Sequence, residues 1–164
     1  MFVPKVGFLV WDDTRSLPYE IIFLFGAGFS IAAAFSTTGL AADIATKLSF
    51  ISTLPLFWMF VAVALFVTFS TEVTSNTALT SIAIPIFYEF AKMMPQNEGT
   101  MLLMVATVAA SFAFMLPIAT PPNAIVMSSR IISIKKMATV GLKLNFIGIA
   151  VLSFVAYSVW RFFL

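Results

Sequence analysis

The sequence of 164 residues contains no cysteine and no histidine. Disulfides, thiolate nucleophiles, Cys/His zinc sites and axial haem histidines are therefore excluded. The groups left for polar chemistry are seven carboxylates, nine lysines and arginines, and many Ser, Thr and Asn side chains. Such groups bind ions and small polar solutes, and they rarely catalyse a reaction without a base beside them. The sequence thus favours binding or transport over enzymatic catalysis.

Charged residues are also scarce. Only 10% of the residues are charged, 61% are apolar, and the mean hydropathy is +1.06. This composition does not fit a water-facing surface, so it predicts a multi-pass protein of the cell membrane, embedded in the lipid bilayer. The basic residues are scattered singly except at Lys135 and Lys136, which argues against nucleic acid as a partner. The first residues show no pattern of a cleaved signal peptide.

Four apolar stretches are compatible with a membrane. The first, Ile21 to Ala42, contains several glycines and predicts a transmembrane helix over 19–42, after a cytoplasmic connection over 1–18 and before an extracytoplasmic segment over 43–53. Its glycines are typical of close helix packing in membranes. The last stretch, 144–164, is a plain span that ends in an aromatic and basic belt.

The stretch from Leu54 to Ala91 is apolar at both ends and polar in the middle. Ten of the fourteen residues in 68–81 are polar. One continuous helix over 54–91 would be about 57 Å long, well beyond a bilayer. We therefore predict a re-entrant helical hairpin over 54–91, with its polar tip at membrane depth. The alternative is a soluble loop between two short spans, but fourteen apolar residues reach only about 21 Å.

A further apolar stretch begins at Met101 and meets Thr120-Pro121-Pro122-Asn123. A regular helix cannot pass through two consecutive prolines. Two interpretations remain open. Either 101–118 is a complete span and the prolines begin a loop, or 101–129 is a discontinuous transmembrane helix whose freed backbone groups bind ions.

Positive charge orients these elements. The connection over 130–143 is the most basic, so we expect it to be cytoplasmic, and the loop over 92–100 to be extracytoplasmic. The hairpin then enters and leaves from the outside. This arrangement places six basic residues inside and three outside, the inner ones being Lys5, Arg15, Arg130, Lys135, Lys136 and Lys143 and the outer ones Lys47, Lys92 and Arg161.

The hairpin tip contains an ionisable residue, Glu72. A charge at membrane depth costs at least about 2.5 kcal/mol, which makes Glu72 a functional candidate, unless backbone amides near a helix end or a lysine satisfy it. Ser75, Asn76 and Thr77 offer both donors and acceptors, as a cation-coupled anion site requires. The hydroxyls elsewhere in this segment, of Thr68, Ser70, Thr80 and Ser81, are expected to bond to the preceding turn of their own helices.

The run TEVTSNT at 71–77, followed by TPPNAI at 120–125, closely resembles the C-terminal repeat of the divalent anion:sodium symporter family, whose members carry dicarboxylates, tricarboxylates or sulfate. The opening residues 4–18 and the run 25–28 are similar to that family in the same order. The family often has three glycines where this chain has Gly26-Ala27-Gly28. The resemblance covers nearly the whole chain.

The resemblance implies an all-α integral membrane fold: one half of an inverted repeat, with a re-entrant hairpin and a discontinuous transmembrane helix. It implies that Ser75, Asn76 and Thr77 bind the anion, with sodium as the coupling ion. The sodium site implied by the family comprises Thr77, Ala119, Thr120, Pro121, Pro122 and Asn123, mostly through backbone carbonyls.

The family is built from two inverted repeats, each with its own Ser-Asn-Thr hairpin, whereas this chain contains one such triplet. We therefore expect the chain to be the C-terminal part of a sodium-coupled transporter, completed by a missing N-terminal repeat or acting as a homodimer. Alone, it is expected to leave Glu72 facing lipid or a poorly packed gap. The alternatives are a sodium-independent dicarboxylate exchanger, a sulfate transporter of the same fold, or a truncated membrane protein that does not transport.

Overall fold

The computed structural model describes residues 19–48, 51, 53–129 and 131–163. The expected cytoplasmic connection over 1–18 lies outside the described residues. Within the described ranges all regular secondary structure is helical. The elements in chain order are α1 (Tyr19–Thr37), α2 (Leu40–Lys47), α3 (Leu56–Thr71), α4 (Asn76–Ala91), α5 (Gln96–Ala109), α6 (Pro121–Ser128), α7 (Ile134–Ser158) and a 3₁₀ helix (Trp160–Phe162).

The first helix ends earlier than the sequence predicts. α1 stops at Thr37 rather than at residue 42, and α2 continues into the range expected to be a connecting segment. Gly39 lies between them with a φ of +76°, a left-handed conformation that ends a helix at little cost only for glycine. The chain bends by 75° at this break.

α3 and α4 flank the polar turn of the segment predicted as a hairpin. The turn runs over 72–75, and Ser75 starts α4 as its N-cap by accepting a 3.1 Å hydrogen bond from the amide of Ala78. At the other end of α4, the ammonium of Lys92 lies 2.8 Å from the carboxylate of Glu89. This hydrogen bond raises the pKa of Lys92, which belongs to the loop after α4.

The core lies where α3 and α5 pack together, with α7 on one side and α4 on the other. The largest apolar side chains that are completely covered come from α3 and α5: Phe60, Val63, Val67, Met101, Leu102 and Val105. α4 also packs against α1 and α2. The polar turn between α3 and α4 is thereby fixed beside the end of α5.

α5 ends well before the prolines. The segment 110–120 has no regular helix, and α6 begins at Pro121. Pro121 and Pro122 occupy the first helical positions, where a missing N–H costs nothing. Thr120 is the N-cap and accepts from the amide of Asn123 at 3.4 Å. The prolines therefore start a helix, and the preceding break occurs at Ala109 rather than beside them.

α7 begins ten residues before the predicted span, so much of the expected loop over 130–143 is helical. Ser133 caps it by accepting from the amide of Lys136 at 3.3 Å. The stretch Ile134–Phe162 is long and apolar enough to cross a membrane in one piece. The bent pair Phe29–Thr37 and Leu40–Lys47 passes the same criterion if it counts as one span.

Candidate substrate and sodium site

The three residues expected to bind the anion lie at the start of α4. Ser75 is exposed, and its oxygen accepts the capping bond described above, so its O–H remains available to donate. Asn76 and Thr77 are partly buried. The hydroxyl of Thr71 lies within hydrogen-bonding distance of two acceptors, Asn76 Oδ1 and, at 3.0 Å, the carbonyl of Ala110. The tip is thus tied to the beginning of the unwound segment.

Some hydroxyls around the tip are engaged within their own helix. Thr80 donates to the carbonyl of Asn76 at 2.7 Å, and Ser81 donates to that of Thr77 at 2.8 Å, which confirms the expectation for both. The expectation is wrong for Thr68. Its hydroxyl is directed to α5 and contacts the carbonyl of Ala109 at 3.4 Å, because the packing of α3 against α5 brings that helix end within reach.

A cavity of about 460 Å³ lies between α1, α4 and α5. Asn76 and Thr77 contribute to its wall, so the structure brings two of the three expected anion ligands to one space. Pro85 also lines it; because proline has no N–H, the carbonyl of Ser81 lacks its usual helical donor. The full lining is Phe29, Asn76, Thr77, Thr80, Ser81, Ile84, Pro85, Thr107, Ala110 and Ser111.

Glu72 lies in a socket of hydrogen-bond donors. Its Oε1 accepts from the amides of Phe114 and Met115 at 2.9 Å, and its Oε2 accepts from Met115 and Leu116 at 3.1 Å. Asn145 of α7 adds a side-chain bond of 2.7 Å to Oε1. Only 3% of Glu72 is exposed. The expectation that Glu72 faces lipid or a gap is therefore wrong, because this chain itself supplies the donors.

The residues expected to bind sodium lie around the start of α6. Ala119 is buried, and Pro121 and Pro122 are exposed. The side-chain Nδ2 of Asn123 donates to the carbonyls of Ala113 at 2.8 Å and Leu116 at 3.0 Å.

Among the described residues, hydrogen bonds link the two polar motifs through the intervening segment 110–116. Thr71 and Glu72 reach it from the tip, and Asn123 reaches it from α6. In that part of the chain no hydrogen bond joins 75–77 directly to 119–123. Thr77 is thus separated from the other expected sodium ligands by the unwound segment.

Sequence reasoning missed several residues of this region. Thr107 and Ser111 face the cavity, but they lie in a stretch that reads as an apolar span. Asn145 was also missed. It is completely buried in a span read as plain, and a single amide within an apolar helix was the signal that could have identified it.

The chain was compared with known protein families. The model of the sodium:sulfate symporter transmembrane region matches residues 1–164. The chain belongs to this family. The family consists of transmembrane transporters rather than enzymes, so the predicted family, the membrane location and the absence of an enzymatic role are confirmed.

Curated relatives of the sodium:sulfate symporter family agree with this assignment. The "Sodium-dependent dicarboxylate transporter SdcS" of Staphylococcus saprophyticus is 40% identical over 90% of this chain and 28% of its own length. "Solute carrier family 13 member 1" of Mus musculus is 38% identical over 87% of the chain and 24% of its length. "Solute carrier family 13 member 2" of Homo sapiens is 35% identical over 94% of the chain and 26% of its own length. The chain therefore spans about a quarter of the length of these relatives.

Proposed function

We propose that this chain forms the C-terminal part of a sodium-coupled secondary transporter of divalent organic anions, either di- or tricarboxylates. The supporting observation is that Asn76 and Thr77 share a cavity wall beside an unwound segment, in a chain that belongs to a sodium:anion symporter family. A relative at 40% identity bears the name of a sodium-dependent dicarboxylate transporter. Because the family description names sulfate, sulfate is the second candidate anion.

The anion would bind at the start of α4. Free amides and the positive end of the helix dipole favour a carboxylate there. The O–H of Ser75 and the amide of Asn76 add side-chain donors. The hydroxyl of Thr77 makes no hydrogen bond within the described part of the chain, whereas those of Thr80 and Ser81 are engaged in α4. Thr77 and Ser111 are therefore the cavity-wall residues whose hydroxyls have no hydrogen-bond acceptor within the described residues, and Thr77 is the one of the two that belongs to the tip.

Sodium would bind to backbone carbonyls between Ala119 and Asn123, with Thr77 contributing once the tip closes on this segment. Oxygen ligands suit a hard cation. Ala119 precedes α6, so its carbonyl lies outside that helix, whereas the carbonyl of Thr120 already accepts from the amide of Ala124 at 3.2 Å. Backbone outside a regular helix is tolerated at membrane depth where protein buries it or where it lines a wet cavity. The segment 110–120 meets this requirement because α3, α6 and α7 all contact it, α7 at Gly141.

We further propose that α3 and α4 form a re-entrant hairpin that opens to the outside. Each helix has 16 residues and measures about 24 Å, less than the hydrocarbon core of about 30 Å. Two helices of this length that meet at a polar turn reach membrane depth without crossing. The basic residues over 130–143 then lie on the cytoplasmic side.

A further part of the transporter would complete the site. The relatives are about four times as long as the matched region, so most of each relative lies outside it. We propose that this chain pairs with an N-terminal repeat, and that the completed transporter assembles as a homodimer. Expressed alone, the chain is expected to insert into the membrane without saturable sodium-dependent uptake.

Proteoliposome uptake tests this function. The chain is reconstituted alone and together with the part of SdcS outside the matched region, and uptake of labelled succinate and of labelled sulfate is measured with and without an inward sodium gradient. Sodium-driven accumulation by the combined sample supports the proposal, and the preferred label identifies the anion. Exchange without sodium would favour the sodium-independent dicarboxylate exchanger. The absence of uptake in every combination would favour a protein that does not transport.

A further inference from the structure

The segment from Ala113 to Leu116 has no regular secondary structure, yet its backbone is held from two edges. Its amides face the carboxylate of Glu72, and two of its carbonyls accept from Asn123. We propose that Glu72 and Asn123 are positioning residues, which hold this segment in the shape that the sodium site requires. This inference rests on the proposed function, because it assigns these side chains a role in the sodium site described above.

The first edge is a concave row of amides. The N–H groups of Phe114, Met115 and Leu116 all point to the carboxylate of Glu72, at 2.9 to 3.1 Å. Consecutive amides that point to one side form an anion site, and a carboxylate can satisfy all of them through two oxygens. Charge-assisted bonds of this kind are about twice as strong as neutral ones. Glu72 thus replaces the intrahelical acceptors that these amides lose where α5 ends.

The second edge is formed by Asn123, the third residue of α6. Its two Nδ2 hydrogens are engaged by the carbonyls of Ala113 and Leu116, at 2.8 and 3.0 Å. Thr120 and the two prolines after it determine where α6 starts, and therefore where this amide lies. The amide nitrogen of Asn123 is occupied in shaping the segment. Its effect on sodium would therefore act through the backbone geometry of the segment.

The carboxylate of Glu72 is shielded from water on the side of α7. Asn145 is completely buried where it donates to Glu72, and Gly141 of the same helix lies against the segment. In the described part of the chain Glu72 has no ion-pair partner, so neutral amides stabilise its charge. Glutamine at this position would keep the size and shape of the side chain. Its NH₂ group would face backbone N–H groups, so two hydrogen-bond donors would oppose each other without an acceptor.

The first test is the sodium dependence of uptake in the chain reconstituted with its complementing part. Glu72→Gln is expected to raise the half-saturating sodium concentration about ten-fold, as the loss of one hydrogen bond to a charged group implies. The maximal rate at saturating sodium should change less than about two-fold. The matched control is Glu89→Gln, which alters an exposed ion pair of α4 and should leave both quantities unchanged. A lower maximal rate with unchanged sodium dependence would overturn the positioning role.

The second test needs no transport. The chain has no native cysteine, so Ile118→Cys supplies a single thiol at an exposed position of the unwound segment. In membranes, labelling by a soluble thiol reagent should be several-fold faster in the Glu72→Gln background and unchanged in the Glu89→Gln background. Equal rates would refute the holding contacts. If the rates differ but sodium slows labelling in no variant, the sodium site of the proposed function fails while the holding role of Glu72 stands.

Asn123→Asp provides the corresponding variant for the other edge. It replaces the amide donor with oxygen, which faces the carbonyls of Ala113 and Leu116. It should accelerate Ile118→Cys labelling like Glu72→Gln. Asn145→Ala removes only one donor from the carboxylate and serves as the mild variant if either of the others fails to fold. A labelling rate that stays unchanged in both Asn123→Asp and Asn145→Ala would contradict the proposal.

Discussion

Glu72 and Asn145 lie 73 residues apart in the chain and are joined by a buried hydrogen bond of 2.7 Å. This bond connects the end of α3 to the middle of α7, across the unwound segment that both contact. The Oδ1 atom of Asn145 has no partner within the described residues. Asn145 therefore joins the carboxylate of Glu72 to α7 through its amide nitrogen alone.

Stability should depend on that donor. Asn145→Ala is expected to lower the free energy of unfolding by about 1.5 to 3 kcal/mol, because it removes a hydrogen bond to a charged group. Ser153→Ala on the same helix is the control, since the buried hydroxyl of Ser153 has no partner in the described structure and its loss should be neutral or stabilising. Thermal unfolding in detergent measures both. Equal losses of unfolding free energy in the two variants would mean that the cavity left by the smaller side chain, and not the hydrogen bond, causes the loss.

Gly141 marks the closest approach of α7 to the unwound segment. A Cβ there would lie 2.2 Å from the carbonyl oxygen of Phe114, a backbone atom that cannot move cheaply. A Cβ at Gly148 would instead meet the ring of Phe112 at 3.0 Å, and that side chain can rotate. Gly141→Ala should therefore destabilise the protein by at least about 2 kcal/mol, as overpacking does, and Gly148→Ala by less. The same thermal assay ranks them, and the reverse order would refute this packing.

Substrate affinity should separate Asn76 from Thr80. Asn76→Ala is expected to weaken binding by about 1.5 to 3 kcal/mol, because it removes a donor to a carboxylate. Thr80→Ala should change it little, since that hydroxyl already bonds within α4. Competition by unlabelled succinate in uptake or binding measurements compares the two. Similar losses at both positions would place the anion deeper along α4 than proposed.

The side from which the tip is reached can be tested with one thiol. Ser75 is exposed, and the chain has no native cysteine. Ser75→Cys should react with an impermeant reagent added from outside the cell, and the substrate should slow that reaction. Labelling solely from the cytoplasmic side would invert the proposed topology of the hairpin. Lys136→Cys, in the basic region expected inside, is the matched control and should resist external reagent.

The helical class and the family could be predicted because apolar runs and the two polar motifs are local features of the sequence. The end of α5 at Ala109 could not, because the residues that follow it are as apolar as those before it. After α5 the chain is unwound, and the backbone amides of Phe114 to Leu116 donate to the carboxylate of Glu72, which lies about forty residues earlier in the chain. Backbone amides leave no signature in a sequence, so the sequence allowed amides as partners of Glu72 but did not identify which residues supply them.

The start of α7 was misjudged for a different reason. The lysines at 135 and 136 suggested a basic loop, yet charged residues are common in the first turns of a helix that emerges from a membrane. Ser133 supplies the cap that begins the helix at this point. The capping residue before the lysines was the signal for a helix start at this point. The prediction followed hydropathy instead and placed the start at residue 144.

Sodium-driven uptake tests the central claim most directly. Proteoliposomes that contain the chain and the complementing part of SdcS are given labelled succinate, with sodium inside and outside or outside only. The account predicts accumulation above equilibrium only with the inward sodium gradient, and its loss in Asn76→Ala. Uptake that is the same with and without the gradient, or that persists in the absence of this chain, would contradict it.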